Sequence, residues 1–268
     1  MPVIIDGTNG VSTPNTFAFK NRIIDGGFTI NQRGHTSGTS LSSGSYGHDR
    51  WKGGASGGTY TFTQGSTGVN TTITITAGSI IQVIEGANLP EGGTYVLSWT
   101  GTAQGKIGSG SFGASGITGT ITAGTNTNIE FNTGTCGNVQ LEVGSTATSF
   151  DYRPYGTELQ LCQRYYFRIS NDTFAYFAGK QQGTTQCYFT VQAPVSMRAT
   201  PTPTMGAGTK YAFTQGGFSS STSTTVTLTS ISNNYIYMSL LLGGFSSLAD
   251  NYVANFRPDA TLELSSEL

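Results

Sequence analysis

The residues able to do chemistry in this 268-residue chain are two histidines, three cysteines and fourteen acids. His48 lies in Tyr46-Gly47-His48-Asp49-Arg50-Trp51, where an imidazole stands beside an acid and a base. Those are parts of a Ser/His/Asp relay. No serine is specifically spaced to serve it, and a hydrogen-bonded Asp49-Arg50 pair beside Trp51 is the preferred reading. Glu85, Glu130, Glu142 and Glu158 offer carboxylates of the kind that flank a glycosidic bond. One acid per strand is equally what solvated sheet faces carry. Gly54-Ala55-Ser56-Gly57-Gly58 has the spacing of a nucleophile elbow, which needs a helix directly after it. A strand is expected there instead, over 59–63. Gly108-Ser109-Gly110-Ser111-Phe112-Gly113 has dinucleotide-loop spacing without a strand–helix context and reads as a loop. Cys136, Cys162 and Cys187 are odd in number and far apart, so they read as buried thiols rather than disulfides or metal ligands. No catalytic residue, metal ligand or cofactor is assigned.

Aromatics set among small polar residues are the remaining candidates: Tyr176, Phe177, Tyr211, Phe213, Phe218, Tyr235, Tyr237 and Tyr252. Sugars bind such surfaces, stacking an apolar ring face on an aromatic while Asn, Gln and Thr bond the hydroxyls. The competing reading places most of these rings in the core. Tyr176, Tyr211, Tyr235 and Tyr237 are the expected receptor-binding residues.

Positioning these residues falls to strands. Gly is 38 of 268 residues and charged residues only 10%, while hydrophobics reach 36% and aromatics 11%. Such a chain is too apolar for a disordered linker and poor in helix formers, so an all-β fold is expected. The formal net charge is −1 and no basic run occurs, which excludes an electrostatic footprint for nucleic acid. No apolar stretch reaches the ~20 residues of a membrane-spanning helix. The opening Met1-Pro2-Val3-Ile4-Ile5-Asp6 has no basic flank or apolar core of a signal peptide, so folding in a cytosol is expected.

Residues 1–20 open with a short apolar strand that has no evident partner and break at Pro14-Asn15. A first domain over 21–155 shows alternating runs. Tyr60 and Phe62 alternate with threonines, as do Ile73 and Ile75. Further runs are 80–84, then Tyr95-Leu97-Trp99, Ile117 with Ile121, Ile129 with Phe131, and Val139-Leu141-Val143. Seven or more short strands with Gly-rich turns predict a sandwich or jelly roll. In Val139 to Val143 the intervening Gln140 and Glu142 are expected on the wet face. Gly26-Gly27 predicts a bulge or close backbone approach within a strand over 21–30. Residues 158–168 suit a short helix by composition and a strand by their Tyr165-Tyr166-Phe167. A second, smaller β domain is expected over 156–268.

The ordered set Asn21-Arg22-Ile23-Ile24-Asp25-Gly26-Gly27-Phe28, Ile30-Asn31-Gln32-Arg33-Gly34, Asp49-Arg50-Trp51, Gln82-Val83-Ile84-Glu85, Val139-Gln140-Leu141-Glu142-Val143-Gly144, Ala147-Thr148, Phe150, Glu158-Leu159 and Leu161-Cys162-Gln163-Arg164-Tyr165-Tyr166 resembles a family of bacteriophage tail fibre and virion appendage proteins. The opening 4–10 and the acidic-Leu ending Glu267-Leu268 are similar to that family's attachment segments and termini. The resemblance implies a carbohydrate-binding-like jelly roll, a homotrimer, and adsorption to a host-surface glycan without enzymatic cleavage. It further implies that residues 1–20 join other tail or baseplate proteins of a virion assembled in the host cytoplasm. A capsid-decoration or baseplate component that binds no receptor is the alternative, followed by a glycan hydrolase.

Overall fold

The computed structural model describes residues 4–6, 10–12, 19–169, 177–214, 217–245, 253–258 and 260–268. Among the described residues the fold is all-β apart from one short α-helix and one 3-10 turn. It divides into two compact units, Met1–Leu159 with Leu268, and Gln160–Glu267.

In the first unit β1 (Ile4–Asp6) pairs antiparallel with β2 (Gly10–Ser12), Ile4 facing Ser12. The opening strand, expected to lack a partner, therefore finds one in its own continuation. Residues 21–30 form no ladder; they are an irregular run with turns, contrary to the expected strand. Asp25 and Phe28 have φ of 54° and 50°, a region incompatible with a strand. The expected close approach is present: a Cβ on Gly26 would sit 2.2 Å from the Val139 carbonyl oxygen.

Eight strands follow: β3 (Ser40–Leu41), β4 (Lys52–Thr61), β5 (Ile73–Ile84), β6 (Gly93–Thr100), β7 (Gly105–Ile107), β8 (Ile117–Ile121), β9 (Thr127–Phe131) and β10 (Gly134–Val143). They make one continuous sheet in the order β3-β4-β5-β10-β6-β8, with β9 on β5 and β7 on β9. β5 joins the two expected runs 73–75 and 80–84 into one strand. Its first part pairs with β10 and its second with β9. β10 in turn leaves β5 after Cys136 and pairs with β6. Strands that change partners midway force the sheet to curl around one core, which holds Trp51, Tyr60, Ile73, Ile80, Tyr95, Leu97, Phe131, Val139 and Leu141. This strand order establishes an all-β fold and a curled sheet, and does not by itself establish a jelly roll.

The helix α1 (Tyr155–Gln163) straddles the division between units, and β11 (Tyr166–Ile169) follows it. Helix and strand divide this segment between them, because the aromatic run that favours a strand begins just past the end of the helix. The remaining strands are β12 (Phe177–Gln182), β13 (Gln186–Gln192), β14 (Thr202–Met205), β15 (Lys210–Thr214), β16 (Gly217–Ser221), β17 (Val226–Ile231), β18 (Tyr237–Leu242), β19 (Val253–Pro258) and β20 (Leu262–Ser265). β11-β20-β14 form a small sheet and β16-β15-β19-β12-β13-β18-β17 a larger one. Pro203 lies in β14, an edge strand, where its missing N–H costs no ladder bond. The larger sheet alternates cleanly. Cys187, Phe189 and Val191 of β13 and Met238, Leu240 and Leu242 of β18 turn inward to a shared core with Met197, Met205, Leu262 and Leu264.

Candidate functional site

The strand period that buries Cys187, Phe189 and Val191 turns Tyr188, Thr190 and Gln192 to the opposite face of the seven-stranded sheet. The registers carry this face across neighbouring strands. Lys180 of β12 is opposite Tyr188 of β13, Thr190 is opposite Ser239 of β18, and Ser239 is opposite Ser230 of β17. A register shift between Leu228 and Ser230 bulges β17, so Thr229 and Ser230 are both exposed. Together Ala178, Gly179, Lys180, Tyr188, Thr190, Thr229, Ser230 and Ser239 line a shallow open groove of about 550 Å³. The lining combines one phenol ring, one cation and four serine or threonine hydroxyls.

The expected receptor tyrosines fall differently about this sheet. Tyr237 is opposite Gln192, on the groove's face, and is 51% exposed. Tyr211 is half-buried and alternates with the core residue Ala212, which puts it on that face as well, beside Phe213 at 6.2 Å between ring centroids. Tyr211 and Tyr237 are four strands apart, roughly 19 Å, so they do not form one site. Tyr235 instead packs against the core and sits at φ 55° in the loop before β18. Phe177 also packs against the core, 5.9 Å from Phe189. Tyr176 and Tyr252 lie outside the described residues. Sequence reasoning missed Tyr188 and Lys180. The signal was available in the alternation that marked Cys187, Phe189 and Val191 as one face, since the residues between must form the other.

The candidates for acid–base chemistry in the first unit are engaged in structure. Gln64 Nε2 donates to Phe28 O and Thr71 Oγ1, which leaves Gln64 Oε1 to accept from His48 Nε2 at 3.0 Å. His48 Nδ1 then accepts from the Tyr60 hydroxyl at 2.9 Å, and that hydroxyl accepts from the His48 backbone N–H. The imidazole is fully buried among neutral partners, and this burial pushes its pKa down to about 4. Its ring nitrogens bond to Tyr60 and Gln64, and no described carboxylate orients it as a relay would require. Asp49 accepts from the Gln32 backbone and side chain and faces Arg33 at 3.9 Å. Arg50 donates to the Val83 carbonyl. Gly54 to Gly58 lie inside β4, so the elbow spacing is a bulged strand with no helix after it.

The glutamates are likewise separated by their partners. Glu130 takes Ser79 and Lys106, Glu142 takes Gln140 and Thr148, and Glu158 takes Arg153 and the Asp25 backbone N–H. Asp25 is buried, and its Oδ1 accepts from the Thr29 and Ile30 N–H groups. Desolvation, reinforced by Asp49 and Glu158, raises its pKa well above the usual value. A perturbed buried acid marks a functional site only where a substrate can reach it. The neighbouring cavity, lined by Asn21, Gly27, Asn70, Asp151, Arg153 and Glu158, measures about 20 Å³, room for one water and no more.

Cys136, Cys162 and Cys187 are buried free thiols. Burial raises the Cys187 pKa to about 11, which removes thiolate reactivity. Among the described residues no group of three or more His, Cys, Asp or Glu is placed to hold a metal ion. No helix among them is long and apolar enough to cross a membrane. Comparisons with protein-family models, curated proteins and solved structures gave no match.

Proposed function

We propose that this chain is a non-enzymatic receptor-binding protein of the phage tail fibre type, which engages a host-surface glycan through the second unit. The supporting observation is the open groove around Tyr188, where an aromatic ring is flanked by threonine and serine hydroxyls on the seven-stranded sheet. A sugar ring needs an apolar face to stack on and hydroxyl partners around its rim, and this lining supplies both. Sequence resemblance supplies the biological setting: a jelly-roll module in the first unit, residues 1–20 as the virion attachment segment, and a homotrimer.

Purified protein should block adsorption of the phage carrying it, and should bind a subset of oligosaccharides on a glycan array. Tyr188→Ala should lower that binding about tenfold or more, the scale seen when an aromatic stacking partner is removed. Its melting temperature should barely change, because the ring stands on the outer face. Full retention of glycan binding by Tyr188→Ala would place the receptor site elsewhere. Absence of both adsorption blocking and array binding would favour a structural virion component.

A further inference from the structure

Within the groove the charge is one-sided. Lys180 is the one charged side chain among the described residues that line it, and it is exposed. No described carboxylate pairs with it, in a chain where only 10% of residues are charged. Exposed lysines commonly blunt sheet edges against unwanted strand pairing. That role does not apply here, because β12 is an interior strand, flanked by β19 and β13. Lys180 is also the register partner of Tyr188 across antiparallel strands, and both side chains point to the groove. Opposed side chains stand about 5 Å apart at Cβ, close to the width of one pyranose ring.

Building on the glycan-binding reading above, we infer that the groove takes an acidic saccharide, its ring stacked on Tyr188 and its anionic group held by the Lys180 ammonium. The hydroxyls lie one step further along the strands. Thr190 and Ser239 are opposed, and the bulge in β17 adds Ser230. Thr229 Oγ1 already donates to the Ser239 carbonyl at 2.9 Å, so it serves the bulge first. A ring lying along β13 would therefore meet the cation on one side and the free hydroxyls of Thr190, Ser230 and Ser239 on the other. A neutral sugar would leave the ammonium without a partner. An anionic one forms a charge-assisted bond that weakens as salt rises.

The test sorts the array by charge. The intact chain is applied to oligosaccharides bearing uronate, sialate or phosphate groups and to neutral oligosaccharides of matched length. Bound sugars should be acidic, and raising salt should weaken them. Lys180→Gln should lose about tenfold in affinity for the bound acidic sugar, and Lys180→Arg should keep most of it. Tyr188→Ala should weaken binding without altering salt dependence. Neutral sugars bound as well as acidic ones, or a Lys180→Gln variant with unchanged affinity and salt dependence, would overturn the acidic preference while glycan binding stands. No bound sugar at all would overturn both readings. A change in light-scattering mass in Lys180→Gln and Tyr188→Ala, without any change in sugar binding, would make the groove an interface between copies and also overturn the inference.

Discussion

The two units divide their polar residues differently between inside and outside. The first buries Asn21, Asp25, His48, Asp49, Arg50, Gln82, Gln140 and Glu142, each engaging backbone or side-chain partners. The second buries fewer among its described residues, Gln181, Lys210, Ser219, Ser221 and Ser266, beside a core of Leu, Met, Phe, Val and Cys, and sends Tyr, Lys, Thr and Ser outward from its larger sheet. Buried polar groups fixed on both sides rigidify irregular chain, such as residues 21–30. Polar groups on an open face keep their bonding capacity for something else. The comparison teaches that the residues carrying the sequence resemblance are engaged in internal bonds, whereas the proposed binding groove lies in the other unit. The motif residues Asn21, Asp25, Trp51, Gln82, Gln140 and Glu158 are fastenings of a scaffold.

The largest effect that could break this comparison is expected at Asn21. Its Oδ1 accepts from the N–H groups of Ile23 and Leu141, and its Nδ2 donates to the Val139 carbonyl. Asn21→Ala orphans three buried backbone groups, and should destabilise the first unit by about 4 kcal/mol. Urea unfolding followed by tryptophan fluorescence reads this unit selectively, since Trp51 and Trp99 both belong to it. A loss under about 1 kcal/mol would mean that the network does not hold residues 21–30 in place.

Next in size is a pH effect centred on His48. Its folded pKa, about 4, lies below the ordinary 6.5. The neutral form is therefore favoured by folding, and stability from this residue is full above 6.5 and is lost as pH falls toward 4. The whole difference is worth ~3 kcal/mol. Asp25 acts in the opposite sense, since its raised folded pKa removes stability as pH rises above the ordinary carboxylate value. The two overlap between pH 4 and 6.5, so the wild-type curve alone cannot separate them. Subtracting the stability curve of His48→Gln isolates the histidine, because Asp25 is common to both proteins. A difference curve flat between pH 4 and 6.5 would show that His48 is not held neutral by burial.

The smallest expected effects sharpen the comparison from the second unit. Tyr237→Ala removes a side chain that is 51% exposed, and should change stability by no more than about 0.5 kcal/mol. Tyr235→Ala removes a ring packed against the core and should cost about 1–2 kcal/mol. Thermal unfolding of the two variants side by side checks this order. Equal losses would mean that the outer face is covered by something that stabilises it.

What the sequence determined by itself was whatever depends on local period and composition. Thr-rich alternation and few helix formers specified an all-β chain, and the Cys187-Phe189-Val191 period specified the inward face of β13. The irregular spacing of the cysteines marked them as buried thiols. Tertiary structure decided everything that depends on which segments meet. Gln140 and Glu142 read as the wet side of a strand, yet both are buried. Gln140 accepts from the Asp151 N–H, and Glu142 accepts from the Thr148 N–H and hydroxyl. No local pattern announces that residues 148–151 will fold over that face. The same holds for the candidate site. Tyr211, Tyr235 and Tyr237 look alike in sequence, but only a strand register can put the first and third on one face and the second in the core. Lys180 and Tyr188 become neighbours because a hairpin pairs them. Sequence specifies period through local sterics, whereas adjacency is set by pairing across the sheet and by which loop closes over which face.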